Sequence, residues 1–401
     1  MSTIVCGWSL DLNMGGTESY MMRMAKWAKH NGHKFVIALQ KGRTIDPIWN
    51  HDIQKNNITI ESFSVRKPYK VIQISSEFKH LLMKEDVYII ATDITSYFQF
   101  VFFKVFSKAN KIRIIYYILH PYVCKITSRR LVNYPYYIFM KKQIGKSIIF
   151  MDEESVNYCK KFYNKNFDVN EVYRIGFEIE PLSTKIITDR IKNRDQLVVL
   201  SCSRMDFPFK GYQMGLINEI ERIIERYTNI HFIIIGTGKD ASMLDDVIKS
   251  KPISIRSHIT RIDKVPYNQL DEYMKKSHVY IGMGTTLLDA AKFGLPSIVA
   301  TMNQMGIQSS GFFSDNYNNV TGNLEMSNKT TNFIELIDCI SKMDNNSYRE
   351  LQLETYEVYK EHYNINSVMQ RILAFKSSDM NVSRLLMVYE FFLAKHQKRI
   401  I

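Results

Sequence analysis

Two basic side chains stand six residues apart on a loop that follows a predicted strand. Residues 197–200 are all apolar, which indicates a buried strand, and Arg204 and Lys210 come soon after it. In open α/β sheets, ligands bind at the carboxyl ends of the strands. Arg presents a planar fork of donors and Lys a compact charge, so the pair suits an anion. The spacing predicts an anion site, with a diphosphate as the working hypothesis.

A second candidate anion site lies in the predicted strand-to-helix turn at 282–290. Gly284 permits a tight backbone, and Thr285 and Thr286 begin the helix, where backbone N–H groups lack intrahelical partners. Asp289 falls in the first turns of that helix. Its carboxylate either binds a vicinal diol such as a ribose or stabilises the helix N-terminus as a favourable charge.

Two glycine turns complete the candidate ligand loops. Gly15 and Gly16 precede a predicted helix and allow a ligand to approach its backbone N–H groups. Gly238 lies in the turn 236–238 after another predicted strand. A tight turn explains the Gly15-Gly16 pair equally well, and it is the first interpretation of the turn that holds Gly238. The Gly15-Gly16 loop is not a GxGxxG fingerprint, and no suitably placed acid follows the second strand, which disfavours NAD.

His120 is the candidate for chemistry in the first half of the chain. It follows a predicted strand over 112–119 and precedes a proline. A lone histidine is more often a packed or surface residue. Its place at the carboxyl end of a strand nevertheless favours a functional role.

The composition narrows the class of protein. The 401 residues carry a net charge of +13, which favours an anionic partner such as a nucleotide, nucleic acid, phosphorylated glycan or acidic lipid surface. The five cysteines are scattered without a CxxC pair, so we expect reduced thiols and no metal site. The N-terminus lacks a basic leader, and no run approaches about 18 apolar residues. We therefore expect a cytoplasmic protein without a membrane span.

Strands and helices alternate in two halves of the chain, which predicts parallel sheets covered by helices on both faces. A strand is predicted at 172–175, and the last clear strand at 296–300. Pro181, Ser183 and dispersed charges indicate a linker between the halves. The predicted order is an N-terminal domain over 1–177, a linker over 178–195, a second domain over 196–345, and C-terminal helices over 346–401 that pack back toward the first domain.

Basic and aromatic residues alternate through 122–146. This composition suits a membrane interface or a charged acceptor, and it also suits single-stranded nucleic acid. A solvated basic face explains it as well. No RRM, KH or zinc pattern accompanies it, so we expect no nucleic-acid partner.

Five segments, taken in order, resemble the GT-B glycosyltransferases of the retaining family called glycosyltransferase 4 or group 1. They span nearly the whole chain, and the combination in this order is fairly specific. They read GGTESYMMRMAKWAKHNGHKF, RIGFEIE, SRMDFPFKG, IIIGTGKD and GMGTTLLDAAKFGLPSIVA.

The resemblance implies an α/β fold of GT-B type, in which two Rossmann-like domains face each other across a cleft and C-terminal helices follow. Arg204 and Lys210 would be catalytic because they offset the charge that grows on the departing diphosphate. His120 matches the family's active-site histidine and would contact the donor sugar. Substrate-binding roles fall to Gly15, Gly16, Gly238, Gly284, Thr285, Thr286 and Asp289.

The family motif E-x7-E is altered in this chain. Asp289 replaces the second glutamate and keeps a carboxylate that can bind ribose hydroxyls, whereas Ile281 replaces the first, which in the family helps handle the donor sugar.

The reaction implied is transfer from a nucleotide-sugar to a glycan or lipid-linked acceptor with retention of configuration, in cell-surface polysaccharide synthesis such as capsule or lipopolysaccharide assembly. The acceptor attacks from the leaving-group face, so no protein carboxylate nucleophile is needed. The two basic side chains, Arg204 and Lys210, can neutralise the diphosphate as a metal ion would, so we expect no cofactor and no metal dependence.

Two other functions fit the same residues. One is a nucleotide-sugar epimerase of GT-B fold, and the other is a catalytically weak nucleotide-sugar-binding protein. The net charge, together with the resemblance, also predicts peripheral contact with an anionic membrane, at the inner face of the plasma membrane.

Overall fold

The structure is a computed structural model of the 401-residue chain. The residues that it describes are 2–13, 15–66, 71–84, 86–109, 111–121, 134–167, 172–327, 330–376 and 386. They separate into two compact units. We call Met1–Glu178 together with Tyr363–Ile401 unit 1, and Ile179–His362 unit 2.

The described elements alternate between strands and helices along the chain. The strands are β1 Thr3–Trp8, β2 Lys34–Gln40, β3 Thr59–Arg66, β4 Val71–Gln73, β5 Val87–Ala91, β6 Arg113–Ile118, β7 Ile148–Phe150, β8 Leu197–Cys202, β9 Ile230–Ile235, β10 Ile259–Ile262, β11 Val279–Gly282, β12 Ser297–Ala300, β13 Gln308–Phe312 and β14 Thr331–Asn332. The helices are α1 Gly16–His30, α2 Asn50–Lys55, α3 Ser76–Lys84, α4 Ile94–Ser107, α5 Tyr134–Gln143, α6 Glu153–Tyr163, α7 Thr184–Lys192, α8 Tyr212–Asn218, α9 Ile220–Arg226, α10 Ala241–Ser250, α11 Ile253–Arg256, α12 Tyr267–Lys276, α13 Thr285–Ala291, α14 Phe333–Lys342, α15 Asn345–His362 and α16 Ile365–Ala374.

Unit 1 is built on a sheet with the order β4-β3-β2-β1-β5-β6-β7 among the described strands. All pairs are parallel except β3 with β4. The strand order reverses between β1 and β5, as in Rossmann-like folds. The apolar helix α4 covers this point, because Gly7 leaves room for Phe100: a Cβ at Gly7 would lie 2.7 Å from that ring.

Unit 2 repeats the arrangement with the order β10-β9-β8-β11-β12-β13-β14. The strands from β10 to β12 are parallel, and β13 and β14 are antiparallel additions. The strand order reverses between β8 and β11. Their carboxyl ends therefore lead into the two loops where a Rossmann-like sheet binds ligands. Both units thus have the GT-B type of α/β architecture that the sequence predicts.

Several predicted boundaries differ from the structure. Residues 172–175, predicted as a strand, are not one in the structure, although Tyr173 N–H donates to Phe150 O at the end of β7, at 2.7 Å. Residues 296–300 are not the last strand, because β13 and β14 follow. The linker predicted at 178–195 contains helix α7, which packs in unit 2 because Ile187 and Arg190 on one helix face are buried. Of the predicted C-terminal helices, α15 belongs to unit 2, and the chain belongs to unit 1 from Tyr363 onward.

The basic segment predicted at 122–146 lies outside the described residues for its first part, and α5 covers the rest. None of the helices that the structure describes is long and apolar enough to cross a membrane.

Candidate functional site

The loop after β8 carries the two cations at the strand switch point of unit 2. Arg204 is exposed, with 69% of its side chain accessible, and its Nη2 lies 3.6 Å from Asp206 Oδ2. Lys239, from the turn after β9, brings its Nζ within 2.7 Å of the other oxygen of Asp206. One carboxylate thus holds two cations at the carboxyl edge of the sheet. Its pKa is lowered, first by the hydrogen bond from Lys239.

Lys210 is half-buried near the end of the same loop, and its backbone N–H donates to Asp206 O at 2.8 Å. Burial lowers the pKa of the Lys210 ammonium, and the positive charge of Arg204 lowers it further. Two like charges held close in a partly desolvated site lower their mutual repulsion by taking an anion. The loop therefore has a chemistry that suits an anion, in addition to the pairing of Arg204 and Lys239 with Asp206.

The turn Gly236–Gly238 packs directly against this loop. A Cβ at Gly238 would lie 2.2 Å from Met205 O, and one at Gly236 would lie 1.8 Å from Ser203 O. Met205 N–H also donates to Thr237 O at 3.0 Å. The glycines here allow two backbones to approach, so Gly238 supports the Arg204 loop by packing.

The turn between β11 and α13 lies beside the end of β8. Gly284 adopts a φ of 70°, with open space where a Cβ would be, and its N–H donates to Val320 O at 2.7 Å. Thr286 Oγ1 donates to Cys202 O at 3.1 Å. The Thr286 hydroxyl thus ties the helix start to β8, and the backbone N–H groups of Thr285 and Thr286 form the first turn.

Asp289 is buried on α13, with 7% of the residue exposed. Burial raises the pKa of the neighbouring Cys202 thiol to about 12, the negative charge of Asp289 raises it further, and the charge of Lys210 lowers it. Asp289 and Lys210 therefore both act on Cys202 at the end of β8. The structure brings Arg204, Lys210, Gly238, Thr285, Thr286 and Asp289 together at one edge of unit 2.

In unit 1, Gly15 and Gly16 lie at the N-terminus of α1, as predicted, with Gly15 as the N-cap. The carboxylate of Glu18 folds over this loop, and its Oε2 lies 2.5 Å from where a Cβ of Gly15 would be. Burial raises the pKa of Glu18. A negative side chain of the protein therefore already occupies space beside this helix N-terminus, where an anion would be favoured.

His120 follows β6 at the carboxyl edge of the unit 1 sheet. Burial of its ring lowers the pKa of His120, and the charge of Glu154 opposes that shift. The imidazole is therefore neutral at neutral pH and can accept or donate a hydrogen bond. His120 and the Gly15-Gly16 loop lie at the same edge of this sheet, because β1 and β6 both run parallel to β5.

Residues 196–321 match the family model of glycosyl transferases group 1. An uncharacterised glycosyltransferase from Methanocaldococcus jannaschii is 23% identical over 304 residues, which cover 70% of this chain and 67% of that protein. The chain is therefore similar to group 1 glycosyltransferases, and it has the GT-B fold.

Solved GT-B structures share the fold of this chain. HepE from Anabaena, solved with UDP and glucose, aligns with a TM-score of 0.60 at 13% identity and covers 94% of this chain and 100% of its own. A mutant of TarM from S. aureus was solved with fondaparinux, α-GlcNAc-glycerol and UDP. It aligns with a TM-score of 0.57 at 13% identity, and the alignment covers 94% of this chain and 100% of the TarM chain.

The structure adds residues that the sequence prediction missed. Asp206 and Lys239 stand inside two of the recognised motifs but pair only through the fold, across 33 positions. Glu18 follows the N-cap Gly15 by three residues, a spacing at which a carboxylate reaches back over a helix start. That spacing was the available signal for Glu18.

Among the residues that the structure describes, no group of three or more His, Cys, Asp or Glu side chains is placed to hold a metal ion.

Proposed function

We propose that this protein is a glycosyltransferase that moves a sugar from a nucleotide-sugar to a glycan or lipid-linked glycan with retention of anomeric configuration. The supporting observation is the convergence of Arg204, Lys210 and Asp289 at the strand switch point of unit 2. The two cations suit a diphosphate, and the buried carboxylate suits the diol of a ribose. UDP-sugars are the first donors to test, because HepE and TarM were each solved with UDP.

In the reaction, the bond between the anomeric carbon and the diphosphate breaks, and the acceptor oxygen bonds to that carbon from the same face. The acceptor proton passes to the departing phosphate oxygen. Arg204 and Lys210 stabilise the negative charge that grows on the diphosphate, and this charge is largest in the transition state. His120 contacts the transferred sugar, as the family resemblance implies.

A panel of nucleotide-sugars, each with and without glycan acceptors, tests this function. Transfer should require an acceptor, and Lys210→Ala should lower kcat/KM by about 10² to 10³, the usual effect of removing one charge-stabilising group. Lys249→Ala, an exposed lysine of α10, is the matched control and should leave kcat/KM unchanged. Product formed without an acceptor would indicate an epimerase, and binding without turnover would indicate a binding protein.

Retention and metal independence are tested on the same product. Nuclear magnetic resonance of the product should show the anomeric configuration of the donor. Treatment with EDTA should leave the rate unchanged, because two side-chain cations already neutralise the diphosphate. Inversion of configuration, or loss of activity with EDTA that Mg²⁺ or Mn²⁺ restores, would contradict the mechanism.

Unit 1 offers a surface for an anionic membrane, such as the inner face of the plasma membrane. Tyr134 is 52% exposed and stacks on Tyr137 with ring centroids 6.2 Å apart, beside a cavity of about 680 Å³ that Lys141 and Lys161 also line. Burial lowers the pKa of Lys165, and the nearby charges of Lys146 and Lys141 lower it further. Aromatic rings among clustered lysines suit an interface with acidic lipid, where a lipid-linked acceptor would lie.

Vesicle flotation tests this contact. The protein should float with vesicles that contain phosphatidylglycerol and remain unbound with pure phosphatidylcholine. Lys141→Glu/Lys161→Glu should weaken flotation strongly, whereas Lys249→Glu/Lys264→Glu, with the same change of net charge on exposed residues of unit 2, should not. An equal loss of flotation in both double variants would show that binding depends on the net charge of the protein and not on this surface.

A further inference from the structure

A second cavity, of about 560 Å³, lies on unit 2 away from the candidate donor site. Helices α7 and α12 line it together with His278, which immediately precedes β11. Strand β11 runs parallel to β8, whose carboxyl end carries the Arg204 loop. The cavity at the amino end of β11 is therefore at the opposite edge of the sheet from the candidate donor site.

The lining of this cavity includes a buried cation, Arg190, which is 2% exposed. Its guanidinium donates only to neutral oxygens, namely the carbonyls of Met274, Phe293 and Gly294 and the side-chain oxygen of Gln352, at 2.9–3.0 Å. Within the described chain it forms no ion pair with a carboxylate, and its buried Nε has no hydrogen-bond acceptor. Burial lowers the pKa of Arg190 to about 10.

An unpaired buried charge is costly, and proteins usually place a counter-charge or a ligand beside one. The other residues that line the cavity do not neutralise the positive charge of Arg190. Four basic side chains, Arg190 included, and only two acidic ones line the cavity, so its net charge is positive. One of the acids, Glu272, is already paired with Lys275 at 2.8 Å. The basic residues Lys185 and Lys276 remain on the lining beside Arg190.

His278 supplies a further donor on the lining. Its Nδ1 accepts the N–H of Val198 at 3.0 Å, so the neutral ring carries its proton on Nε2. The ring is neutral because burial lowers the pKa of His278 to about 4, and the charge of Arg190 adds to the shift. A lining of donors and cations, with its acids few and partly paired, attracts an anion.

We infer that this cavity is a second anion site of the protein and that it binds a phosphorylated small molecule, with the phosphoryl group over the Arg190 guanidinium and in contact with Lys185 and Lys276. The volume falls within the range of small-molecule sites and exceeds what a bare phosphate fills, so it also accommodates a sugar- or nucleoside-sized remainder. This site differs from the donor site in position, and the inference does not depend on the proposed transfer reaction.

Ribose 5-phosphate is the probe, and isothermal titration calorimetry on the full chain is the measurement. Lys210→Ala serves as the background, because it weakens phosphate binding at the donor site. This variant should still bind ribose 5-phosphate and should not bind neutral ribose. Adding Lys185→Ala/Lys276→Ala should weaken binding at least tenfold. Adding Lys249→Ala/Lys264→Ala instead should leave the affinity unchanged.

Circular dichroism and the Tm without ligand should be the same for the Lys210→Ala background and for both combined variants, because the added substitutions fall on exposed lysines. The more deeply placed Arg190→Gln keeps hydrogen-bonding capacity but removes the charge, and it should abolish binding if it folds. The inference is wrong if Lys210→Ala alone removes all binding, or if Lys185→Ala/Lys276→Ala leaves the affinity intact. Equal affinity for ribose and ribose 5-phosphate would also overturn it.

Discussion

At the scale of single residues, Lys210 links the structure of the loop after β8 to the pH dependence that we predict for the proposed reaction. Burial and the charge of Arg204 lower its pKa in the free protein. Lys210 therefore loses its proton at a lower pH than an ordinary lysine does. With the proton it loses the positive charge that would stabilise a diphosphate. We predict that kcat/KM falls on the alkaline side as the pH rises through this lowered pKa, since kcat/KM reports the free enzyme.

The matched variant for this profile is Lys210→Arg. A guanidinium stays charged across the whole accessible range, so the alkaline fall should move to higher pH even if the maximum rate drops. The measurement is the pH profile of kcat/KM for both proteins at constant ionic strength. An alkaline limb at the same pH in both would assign the titration to another group.

Lys239 carries a second prediction at this scale. Its pairing with Asp206 leaves Arg204 as the weaker partner of that carboxylate, at 3.6 Å against 2.7 Å. Lys239→Ala should shift Asp206 toward Arg204 and make Arg204 less available to the diphosphate. We expect the donor KM to rise several-fold, with little change in Tm because exposed ion pairs stabilise weakly. Steady-state kinetics beside Lys249→Ala checks this, and an unchanged KM would contradict it.

Some of these site residues can be predicted from the sequence alone, and others cannot. Arg204 and Lys210 are recognisable because both lie on one short loop after an apolar strand. The link from Asp206 to Lys239 depends on two loops from adjacent strands, so no local spacing reveals it. Arg190 lies in the segment predicted as a linker, and its burial cannot be predicted there because it follows from how α7 packs and not from its neighbours in sequence.

At the scale of elements, the glycine turn after β9 packs against the loop after β8 that carries Arg204 and Lys210, and so limits where that loop can lie. We predict that Gly238→Ala lowers the free energy of unfolding by about 1–3 kcal/mol, because the new methyl group would press on the Met205 backbone, which cannot rotate away. The same displacement should raise the donor KM by moving Arg204. Urea unfolding and steady-state kinetics measure the two effects.

The control for this variant is Gly32→Ala. Gly32 has a φ of 71° and open space where the new methyl group would stand, and it lies in unit 1. Its substitution should cost about 1–2 kcal/mol through backbone strain alone and leave the donor KM unchanged. If Gly238→Ala behaves like this control in the kinetic assay, the turn does not position the loop.

Element boundaries were predictable where one pattern dominates. The apolar run of β8 and the capped helix α4 follow directly from composition and from Asp93, which accepts the N–H of Ser96 at 2.9 Å. Strands β13 and β14 were missed because they contain small and polar residues and pair antiparallel at a sheet edge. Their existence depends on the neighbouring strand rather than on their own hydrophobic pattern.

At the scale of the whole molecule, unit 1 is completed by chain from both ends of the sequence. Trp27 Nε1 on α1 donates to Asn366 Oδ1 on α16 at 2.8 Å, and Ile365 N–H donates to Phe177 O at 2.8 Å. Gly176 has no side chain because the backbone of Ile365 lies where one would be, with its Cα 2.6 Å from the position that a Cβ of Gly176 would take. Helix α16 therefore covers an otherwise exposed face of α1.

A chain that ends after His362 should accordingly lose stability in unit 1 and keep it in unit 2. Hydrogen exchange measured by mass spectrometry should show faster exchange in α1 and around Phe177, because their packing partner is gone, and unchanged protection in β8 and β11. Gln370→Ala, an exposed change on α16, is the control and should alter neither unit. Equal loss of protection in both units would mean that they do not fold as separate cooperative blocks, whereas full protection of α1 would mean that α16 contributes nothing to unit 1.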